Sequence, residues 1–574
     1  MPDVVARPID ETARARLVAG GVDPRLARLF AARGVTDVAQ LSPALPGLVP
    51  PERLGHAAEA ASLLADAIDA GQRILIVADY DADGATACAV GLRALRAMGA
   101  AVDFLVPDRF RFGYGLTPEI VRLAAGRSPH LLVTVDNGIA SVDGVAEANR
   151  LGMRVLVTDH HLPGADRPDA ACIVNPNQEG CGFPSKHLAG VGVIFYVMTA
   201  LRAELRRRGR FAGRAEPNLG ALLDLVALGT VADVVRLDAN NRILVAQGLA
   251  RIRAGECCAG IRALLAVAAR EPRRAGVYDL GFVVGPRLNA AGRLEDMAIG
   301  IECLATDDPG VAMRLAGKLD ALNRERREIE AGMQESALAM LSGVDPGEGW
   351  SLTVHRPEWH AGVVGLLASR LKDRFHRPVF AFAAEADGRL KGSGRSIAGL
   401  HLRDALDLVA KRAPGVIERF GGHAAAAGAT LAPGQLEAFG AAFESVAREL
   451  LSPADLEQRI ETDGELGPGD MTFEFAAELR RHVWGQGFPE PRFAGRFAVE
   501  SQRVVGLSHT RLALALGARR VTAMRFGEAG PFPAAIDAVY RLDVNEFNGA
   551  ETLQLVIEHW SPEKKGTVPG NRPL

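Results

Sequence analysis

Short apolar runs alternate with helix-like segments between residues 73 and 159. The four runs are residues 73–78, 102–107, 130–136 and 154–159. Each run ends at an acidic residue, at a proline or just before an acidic residue. Between them, apolar residues recur at helical spacing, for example at 85–98 and 141–151. Strands that alternate with helices predict an α/β fold with a parallel sheet and right-handed crossovers. In such sheets, ligands bind beyond the carboxyl ends of the strands.

The second half of the chain changes pattern twice. A helical stripe of apolar residues runs from about Pro309 to Leu341, and its charged middle predicts a solvated helix that connects two lobes. Apolar runs at 351–355 and 378–384 then predict strands of a second α/β domain. After about residue 455, short alternating runs are typical of a small antiparallel barrel.

These patterns divide the chain into six predicted parts. They are a helical lead-in (1–49), a parallel-sheet catalytic domain (50–305), a connector helix (306–345), a second α/β domain (346–453), a barrel domain (454–562) and a tail (563–574).

Composition and charge narrow the class of protein. The 574 residues include 66 Lys plus Arg and 69 Asp plus Glu, a net charge of −3, and 48% are hydrophobic. This hydrophobic content excludes a disordered acidic protein, and the charge argues against a strongly basic nucleic-acid coat. The charge is uneven, however, because residues 201–300 contain 16 Arg and only 10 acidic residues, a net of +6.

Cysteine usage and apolar run lengths point to the compartment. The six cysteines form no C-x-x-C pair and no zinc-ligand spacing. The first residues contain no signal-peptide-like apolar run, and the longest uncharged apolar stretch, 188–201, is shorter than the ~20 residues that span a bilayer. We therefore expect a soluble cytoplasmic protein without a membrane partner.

An acidic turn follows the first predicted strand. Asp79, Asp81 and Asp83 alternate along the sequence DYDADG. Three carboxylates this close repel one another unless cations lie among them. The pattern also mimics a calcium-binding EF-hand loop, but that loop needs a preceding helix and a later Glu, where this chain has a strand and Val90. The calcium-loop interpretation is therefore excluded.

Further acidic and imidazole side chains follow the later strands. They are Asp136 in VDNG, Asp159, His160 and His161 in TDHH, and Asp224 and Asp233 in LLDLVALGTVADVV. Carboxylates with imidazole and no thiolate suit Mn²⁺ or Mg²⁺, and the histidines favour Mn²⁺. Two such cations about 3.5–4 Å apart would serve phosphoryl hydrolysis. No P-loop and no G-x-S-x-G sequence appears, so an NTPase or serine hydrolase has no support.

The motifs together resemble a known superfamily. DYDADG, VDNG, DHH and LLDLVALGTVADV are similar to the DHH phosphoesterases. EWHAGVVGLLASRL (358–371), KGSGRS (391–396) and FGGHAAAAG (420–428) resemble the DHH-associated substrate-binding domain, DHHA1. Over residues 50–560 the chain resembles the bacterial members that degrade single-stranded DNA from the 5′ end, and its barrel resembles an oligonucleotide-binding (OB) fold.

The resemblance implies a role for each acidic and imidazole residue. It implies two divalent cations, with Mn²⁺ preferred and Mg²⁺ possible, bridged by Asp136. The remaining implied ligands are Asp79 and Asp81 for one cation, and Asp83, His160 and Asp224 for the other. His161 would face the scissile phosphate, and Asp159 would orient the two histidines. The implied catalytic residues are therefore His161, Asp159 and Asp136.

A second set of residues is predicted to hold DNA. The glycine-rich segments 285–293 and 392–396 are expected to be a phosphate-binding loop and a nest of backbone amides around a terminal phosphate. Paired glycines would let the protein backbone approach DNA, and His423 would donate a hydrogen bond to a phosphate. At 107–115, basic residues would neutralise the DNA phosphates, and the aromatic residues between them would stack on bases. The full set is Arg109, Arg287, Asn289, Arg293, His360, Ser393, Arg395, Ser396, Gly421, Gly422 and His423.

The implied function is a two-metal 5′→3′ exonuclease that releases 5′-mononucleotides from single-stranded DNA during repair and recombination. A channel between the two α/β lobes would exclude a duplex. By resemblance alone, a single-strand-binding protein and a RecQ-type helicase are expected partners of a monomeric enzyme. Two alternatives remain: a phosphodiesterase for short oligonucleotides or cyclic dinucleotides (or a related pyrophosphatase), and a non-catalytic single-strand-binding scaffold.

Overall fold

The structure of the protein, a computed structural model, describes residues 2–107, 112, 115–341, 349–385, 387–547 and 549–562. The chain divides into two compact units. The first unit comprises Ala6–Ala321 and Glu461–Leu574, and the second comprises Met1–Val5 and Leu322–Ile460. The six-part division of the chain into domains stays a prediction.

A five-stranded parallel sheet forms the core of the first unit. The chain begins with a short strand β1 (Asp3–Ala6), and the sheet strands are β2 (Arg73–Ala78), β3 (Ala101–Leu105), β4 (Leu131–Val135), β5 (Arg154–Thr158) and β6 (Cys172–Val174). Their order is β3-β2-β4-β5-β6. Strand β4 is buried throughout, as in a sheet covered on both faces. The predicted parallel α/β fold is confirmed, and the sequence pattern missed only β6, which is three residues long.

Helices surround this sheet. They are α1 (Glu11–Ala19), α2 (Pro24–Ala31), α3 (Ala57–Asp69), α4 (Ala82–Ala97), α5 (Pro118–Ala125), α6 (Val142–Arg150), α7 (Gly190–Arg207), α8 (Leu223–Ala232), α9 (Ala239–Arg253), α10 (Ala259–Val267), α11 (Gly285–Leu294) and α12 (Ala298–Ala305). A π-helical segment, Asp279–Val284, leads directly into α11. Within the described residues, 3₁₀ turns of this unit are Val38–Leu41, Leu45–Gly47, Pro51–Arg53, Leu219–Leu222 and Pro272–Arg274, and Pro453–Leu456 is a 3₁₀ turn of the second unit.

A 32-residue helix, α13 (Pro309–Met340), follows close to its predicted bounds. Most of its charged middle is exposed as expected, namely Arg324, Glu325, Arg327 and Glu328. Arg326 and Glu330 are buried, because Glu330 accepts hydrogen bonds from Arg326 at 2.6 Å and from Arg370 at 2.8 Å. One side of the charged segment therefore forms an internal ion-pair network, and the other side faces water.

The second unit contains the second predicted α/β domain. Its strands are β7 (Leu352–His355), β8 (Val379–Ala384), β9 (Leu390–Arg395), β10 (Ile417–Gly422) and β11 (Ala426–Leu431), and its helices are α14 (Val364–Phe375), α15 (Leu402–Arg412) and α16 (Leu436–Leu450). The sheet order is β10-β11-β9-β8-β7, with only β7 and β8 parallel. Phe380, Phe382, Phe439 and Phe443 pack edge-to-face and stacked in its core.

A closed five-stranded barrel ends the described chain. It follows β12 (Arg459–Thr462) and α17 (Phe473–Arg481), and consists of β13 (Phe493–Val505), β14 (His509–Leu516), β15 (Arg519–Arg525), β16 (Ala535–Phe547) and β17 (Ala550–Pro562). The order is β13-β14-β15-β17-β16, which is an OB-type barrel. The predicted barrel is confirmed, except that β15 and β17 pair in parallel. No helix in the described ranges combines the length and apolarity that a bilayer crossing requires.

A buried ion pair joins the N-terminal helices to the segment before the barrel. Arg33 and Asp463 form two parallel hydrogen bonds of 2.7 and 2.9 Å, and their side chains are almost completely buried. Arg33 also donates to the Pro489 carbonyl at 2.7 Å. Both partners therefore depend on each other for charge compensation.

Replacing Asp463 with alanine should leave the Arg33 charge buried and unpaired. We expect a loss of about 3–5 kcal/mol in the free energy of unfolding, because removing one partner of a buried pair exposes the full desolvation penalty of the other. Thermal unfolding followed by calorimetry measures this. The exposed pair Arg520–Glu500 provides the control, and Glu500→Ala should change stability by no more than about 1 kcal/mol.

Candidate metal centre

Acidic and histidine side chains meet at the carboxyl edge of the parallel sheet. Asp79, Asp136 and Asp159 each follow directly after a strand, namely β2, β4 and β5. These three strands are neighbours in the sheet, with β4 between β2 and β5. The carboxyl ends of parallel strands share one edge, so residues that are far apart in sequence are brought together there.

The acidic turn is held by backbone hydrogen bonds at the start of α4. Asp81 is the N-cap residue, and its carboxylate accepts from the backbone N–H groups of Asp83 and Gly84, both at 3.0 Å. On the outer side of the turn, the side-chain carbonyl of Asn289 accepts from the Ala82 N–H at 2.8 Å. The turn is thus fixed by both α4 and α11.

Asp83 is bound by the first residues of α7. Its two carboxylate oxygens accept from the N–H groups of Gly190 at 2.6 Å and Val191 at 2.9 Å. The unpaired amides and the dipole at a helix N-terminus favour a negative charge there. A Cβ atom on Gly190 would lie 2.6 Å from Asp136, and one on Gly229 of α8 would lie 2.8 Å from an Asp83 oxygen. Both positions therefore require glycine.

Asp136 has an unusual backbone conformation. Its φ angle is +62°, in the left-handed region that non-glycine residues rarely adopt. Its N–H donates to the Thr158 carbonyl at 3.0 Å, and the next residue, Asn137, donates to the carbonyls of Val77 and Val135. Such strain costs of the order of 1–3 kcal/mol and is concentrated at functional sites. Here it turns the Asp136 carboxylate toward the other acidic groups.

Asp159 organises the two histidines. One of its oxygens accepts from the backbone N–H groups of His160 and His161 and lies 2.7 Å from Nδ1 of the His161 ring. Its other oxygen accepts from the Ile139 N–H at 2.9 Å. These contacts match the orienting role that the resemblance implied for Asp159.

His160 connects Asp136 to a residue at the end of α8. Its Nε2 atom lies 3.1 Å from Asp136 Oδ1 and 3.5 Å from Asp233 Oδ2. Three groups of side chains have ligand atoms within 4.8 Å of one another, and they are Asp79–Asp81–Asp136, Asp83–His160–Asp233 and Asp136–His160–His161. The first two groups correspond to the two predicted sets of cation ligands, apart from one residue.

That residue is Asp224, which the structure does not bring to the cluster. Asp224 lies in the first turn of α8, fully buried, and its carboxylate accepts from the N–H groups of Leu225 and Cys258 at 2.8 and 2.7 Å. Asp233, nine residues later, is about 13 Å further along the helix and is the acid that reaches the cluster. Both acids lie in one motif, and the sequence pattern does not say which end of α8 meets the sheet edge.

Three of the clustered acids have raised pKa values. Burial, and then the charge of Asp81, raises the pKa of Asp83 to about 7. Burial and the neighbouring carboxylates raise the pKa values of Asp136 and Asp233 well above the usual range. Divalent cations would relieve this repulsion, and five carboxylates with an imidazole are a suitable donor set for Mn²⁺ or Mg²⁺. The residues present therefore fit a metal centre.

The pKa values of His161 and Asp159 are shifted in opposite directions. Burial disfavours a charged His161, but the hydrogen bond and charge of Asp159, with the charges of Asp79 and Asp81, raise the pKa of His161 to about 9. Burial acts in the other direction on Asp159, yet its hydrogen bond with His161 lowers the pKa of Asp159 overall. At neutral pH this pair keeps a proton on His161.

The segment 285–293 is a helix, not the expected loop. Arg287 is buried in α11, where it binds Asp320 at 2.9 Å and donates to the Val283 carbonyl at 2.7 Å. Asn289 supports the acidic turn, a role that sequence reasoning missed. Arg293 lies in the last turn of the same helix, partly exposed. A DNA contact for these three residues stays a prediction.

The expected amide nest at 392–396 is also wrong. Residues 390–395 form β9, whose backbone pairs with β8 on one side and β11 on the other. Ser393 and Arg395 nevertheless lie side by side, with Arg395 donating to the Ser393 hydroxyl at 3.2 Å, whereas Ser396 is buried and donates to the Leu400 carbonyl. A Cβ atom on Gly365 of α14 would lie 2.9 Å from the Ser393 hydroxyl.

The remaining predicted DNA contacts are distributed around the second unit. Gly421 and Gly422 end β10, and His423 lies in the hairpin to β11, where its N–H donates to the Ala426 carbonyl. Gly422 needs to be glycine, because φ is +144° and a Cβ would lie 2.4 Å from Ala427 Cα. His360 accepts from the Gly362 N–H at 3.1 Å. Arg109 lies outside the described residues.

Comparison with protein families gives the class of the protein. Family models match residues 73–230 (DHH family, N-terminal domain), 349–449 (DHHA1 domain) and 462–559 (RecJ OB domain). The parallel sheet and its acidic edge are therefore those of a DHH-family protein with an attached DHHA1 domain and an OB domain.

Full-length relatives narrow this class. The single-stranded-DNA-specific exonuclease RecJ of Dickeya dadantii is 51% identical over 553 residues, which are 94% of this chain and 96% of that protein. RecJ of Escherichia coli is 48% identical over 97% of this chain and 98% of its own length. The chain belongs to the RecJ family.

Solved structures agree with this assignment. The crystal structure of RecJ from Thermus thermophilus in complex with Mn²⁺ matches with a TM-score of 0.82 and 30% identity, over 98% of this chain and 80% of that one. The corresponding Mg²⁺ complex matches with a TM-score of 0.76 and 30% identity, over 98% and 78%. The predicted order of parallel-sheet domain, DHHA1 domain and OB barrel is confirmed.

Replacing each α8 aspartate separately should distinguish ligand from structural acid. We expect Asp233→Asn to weaken Mn²⁺ binding at least about 100-fold, because it removes a charged donor from the cluster. Asp224→Asn should keep wild-type Mn²⁺ affinity but lower stability by about 1–3 kcal/mol, since an amide cannot accept both backbone hydrogen bonds. Calorimetric titration and thermal unfolding measure the two effects. Weaker Mn²⁺ binding in Asp224→Asn alone would restore the original assignment.

Binding of Mn²⁺ should release more protons at pH 6 than at pH 8. In the metal-free fold, Asp83 has a pKa of about 7, raised by burial and by Asp81, so it is largely protonated at pH 6. Its raised pKa stabilises the metal-free fold at low pH, and this contribution is lost as the pH rises through about 7. A cation must displace the proton. Titration calorimetry in buffers of different ionisation enthalpy counts the protons, and equal release at both pH values would contradict this account.

Proposed function

We propose that this protein is a two-metal exonuclease that degrades single-stranded DNA from the 5′ end to 5′-mononucleotides, in DNA repair and recombination. The observation that carries the proposal is the cluster of five carboxylates and His160 at the sheet edge. Relatives covering almost the whole chain, including those named single-stranded-DNA-specific exonuclease RecJ, support the substrate class.

The proposed metal ligands fall into two sets that share Asp136. Asp79, Asp81 and Asp136 would hold one divalent cation, and Asp83, Asp136, His160 and Asp233 would hold the other. We propose Mn²⁺ as the preferred ion and Mg²⁺ as a substitute, the two ions named for the Thermus structures. When bound, the cations would supply a nucleophile at neutral pH and neutralise charge on the phosphoryl group.

His161 is the proposed catalytic donor to the scissile phosphate. Asp159 lies 2.7 Å from Nδ1 of His161 and orients the ring, and Nε2 is the atom proposed to donate to the substrate. With its pKa raised to about 9 by the Asp159 hydrogen bond against the effect of burial, the ring stays protonated at neutral pH. A protonated donor held in one orientation stabilises the charge that develops on phosphate oxygens.

The proposed DNA contacts lie in both units. Ser393 and Arg395 share one face of β9, and the guanidinium together with a hydroxyl suits a phosphate group. His360, His423 and the backbone at Gly421 and Gly422 would complete a binding surface in the second unit. In the first unit, Arg293 and the OB barrel are the proposed contacts, together with Arg109, Arg287 and Asn289, and Ser396 would act only by supporting β9.

Partners and compartment are proposed from the family resemblance alone. We propose a monomeric cytoplasmic enzyme that receives single strands from a RecQ-type helicase and cooperates with a single-strand-binding protein. A phosphodiesterase for short oligonucleotides or cyclic dinucleotides is not favoured, because the chain matches a RecJ OB domain over residues 462–559. A non-catalytic scaffold is not favoured either, because the acidic cluster is complete.

One degradation experiment tests the proposed function. The protein with Mn²⁺ should shorten a 3′-labelled single strand from its 5′ end, release mononucleotides, and act much more slowly on a blunt duplex. Asp136→Ala should lower the rate by more than about 1,000-fold, because it removes the shared ligand. Asp143→Ala, an exposed acid on α6, is the matched control and should leave the rate unchanged. Cleavage of dinucleotides only, or binding without cleavage, would contradict the proposal.

A further inference from the structure

Two aromatic side chains stand exposed near the metal centre. Tyr278 is 60% and Phe282 is 68% exposed, and their rings stack with centroids 5.2 Å apart and planes inclined by 23°. Among the aromatic side chains that the structure describes, only Phe420 and Phe526 are also exposed. Exposed apolar rings of this kind indicate a binding surface.

The two rings belong to a deformed helical turn. Tyr278 immediately precedes the π-helical segment Asp279–Val284, and Phe282 lies four residues later on the same face. The opposite face, with Leu280, Val283 and Val284, is buried. Short π-helical segments within helices are frequent at functional sites. The segment therefore buries its aliphatic residues and keeps its two rings in solvent.

The same segment packs against the end of α8 that carries Asp233. A Cβ atom on Gly281 would lie 3.2 Å from the Val231 side chain, and one on Gly285 would lie 3.2 Å from the Ala232 side chain. The helix α11, which continues the segment, supports the acidic turn through Asn289. The segment that carries the aromatic pair thus packs directly against Val231 and Ala232, the two residues before Asp233.

The residues just before the aromatic pair in the sequence contact the barrel. Arg274, four residues before Tyr278, forms an ion pair with Glu546 near the end of β16. A stretch of 16 residues, 274–289, therefore contacts the barrel, presents two rings to solvent and reaches the acidic turn, all within the first unit.

We propose that Tyr278 and Phe282 form a stacking platform for bases of single-stranded DNA whose end lies at the metal centre. The inference rests on the proposed function and adds a binding site to it. Every base has an apolar face, so stacking on aromatic rings grips a strand without regard to its sequence. A protein partner is the less favoured occupant, because the segment that carries the rings packs against Val231 and Ala232, directly before Asp233 of the proposed cleavage site.

The test compares normal and abasic strands. Binding of 20-nucleotide oligothymidylate with hydrolysis-resistant phosphorothioate linkages, and of a matching strand of abasic residues, is measured by fluorescence anisotropy in Mn²⁺. The variants are Tyr278→Ala/Phe282→Ala, the conservative pair Tyr278→Phe/Phe282→Tyr, and Leu123→Ala as an exposed apolar control on α5. Cleavage of a dinucleotide by each variant reports the metal centre.

We expect the double alanine variant to bind oligothymidylate about 10-fold or more weakly, in line with the loss of base stacking. It should bind the abasic strand like the wild type and cleave the dinucleotide at the wild-type rate, and the other two variants should behave like the wild type throughout. Equal binding of oligothymidylate by wild type and double alanine variant would overturn the platform and indicate a protein partner. An equal loss on both strands would indicate a structural role and also overturn it. Failure of the wild type to degrade single strands would refute the proposed function instead.

Discussion

Repulsion among buried carboxylates is the constraint on which the rest of the first unit depends. Asp83, Asp136 and Asp233 all have raised pKa values because they are buried beside other acids. The fold opposes this repulsion with the N-terminus of α7, whose amides bind Asp83, whereas the strained backbone at Asp136 turns its carboxylate toward the other acids. A site that concentrates negative charge in this way favours cation binding, because a cation would relieve the repulsion.

Close approach of backbones makes this arrangement possible. Gly190 and Gly229 leave room for Asp136 and Asp83, and Gly292 of α11 lies so near the Tyr80 carbonyl that a Cβ would be 1.9 Å from its oxygen. Three helices therefore pack directly on the acidic residues. One of them, α11, continues from the segment that carries Tyr278 and Phe282, so a single helical stretch links the metal centre to the surface proposed to bind bases.

Glycines explain the main errors of sequence-based reasoning. The glycines at 285–293 and 392–394 suggested loops, because glycine favours turns. In the structure they lie in α11 and β9, where they provide space instead: Cβ atoms on Gly392 and Gly394 would lie 2.2 and 2.4 Å from Phe382 and Phe380. A glycine needed for packing and one needed for a turn look alike in sequence, because the neighbour that occupies the space comes from another element. The periodicity of apolar residues, by contrast, depends on local geometry and located the sheet strands closely.

The sequence by itself determined the parallel sheet and the membership of Asp79, Asp81, Asp83, Asp136 and His160 in one cluster. It could do so because each residue lies at or near a strand end, and parallel strands must end at a common edge. Only the tertiary structure decided between Asp224 and Asp233. Both lie on or next to one apolar helix, and its hydrophobic pattern is satisfied whichever end points toward the sheet edge. The packing of α8 against α4, α7 and the π-helical segment makes that choice, and places Asp224 in the core and Asp233 at the metal centre.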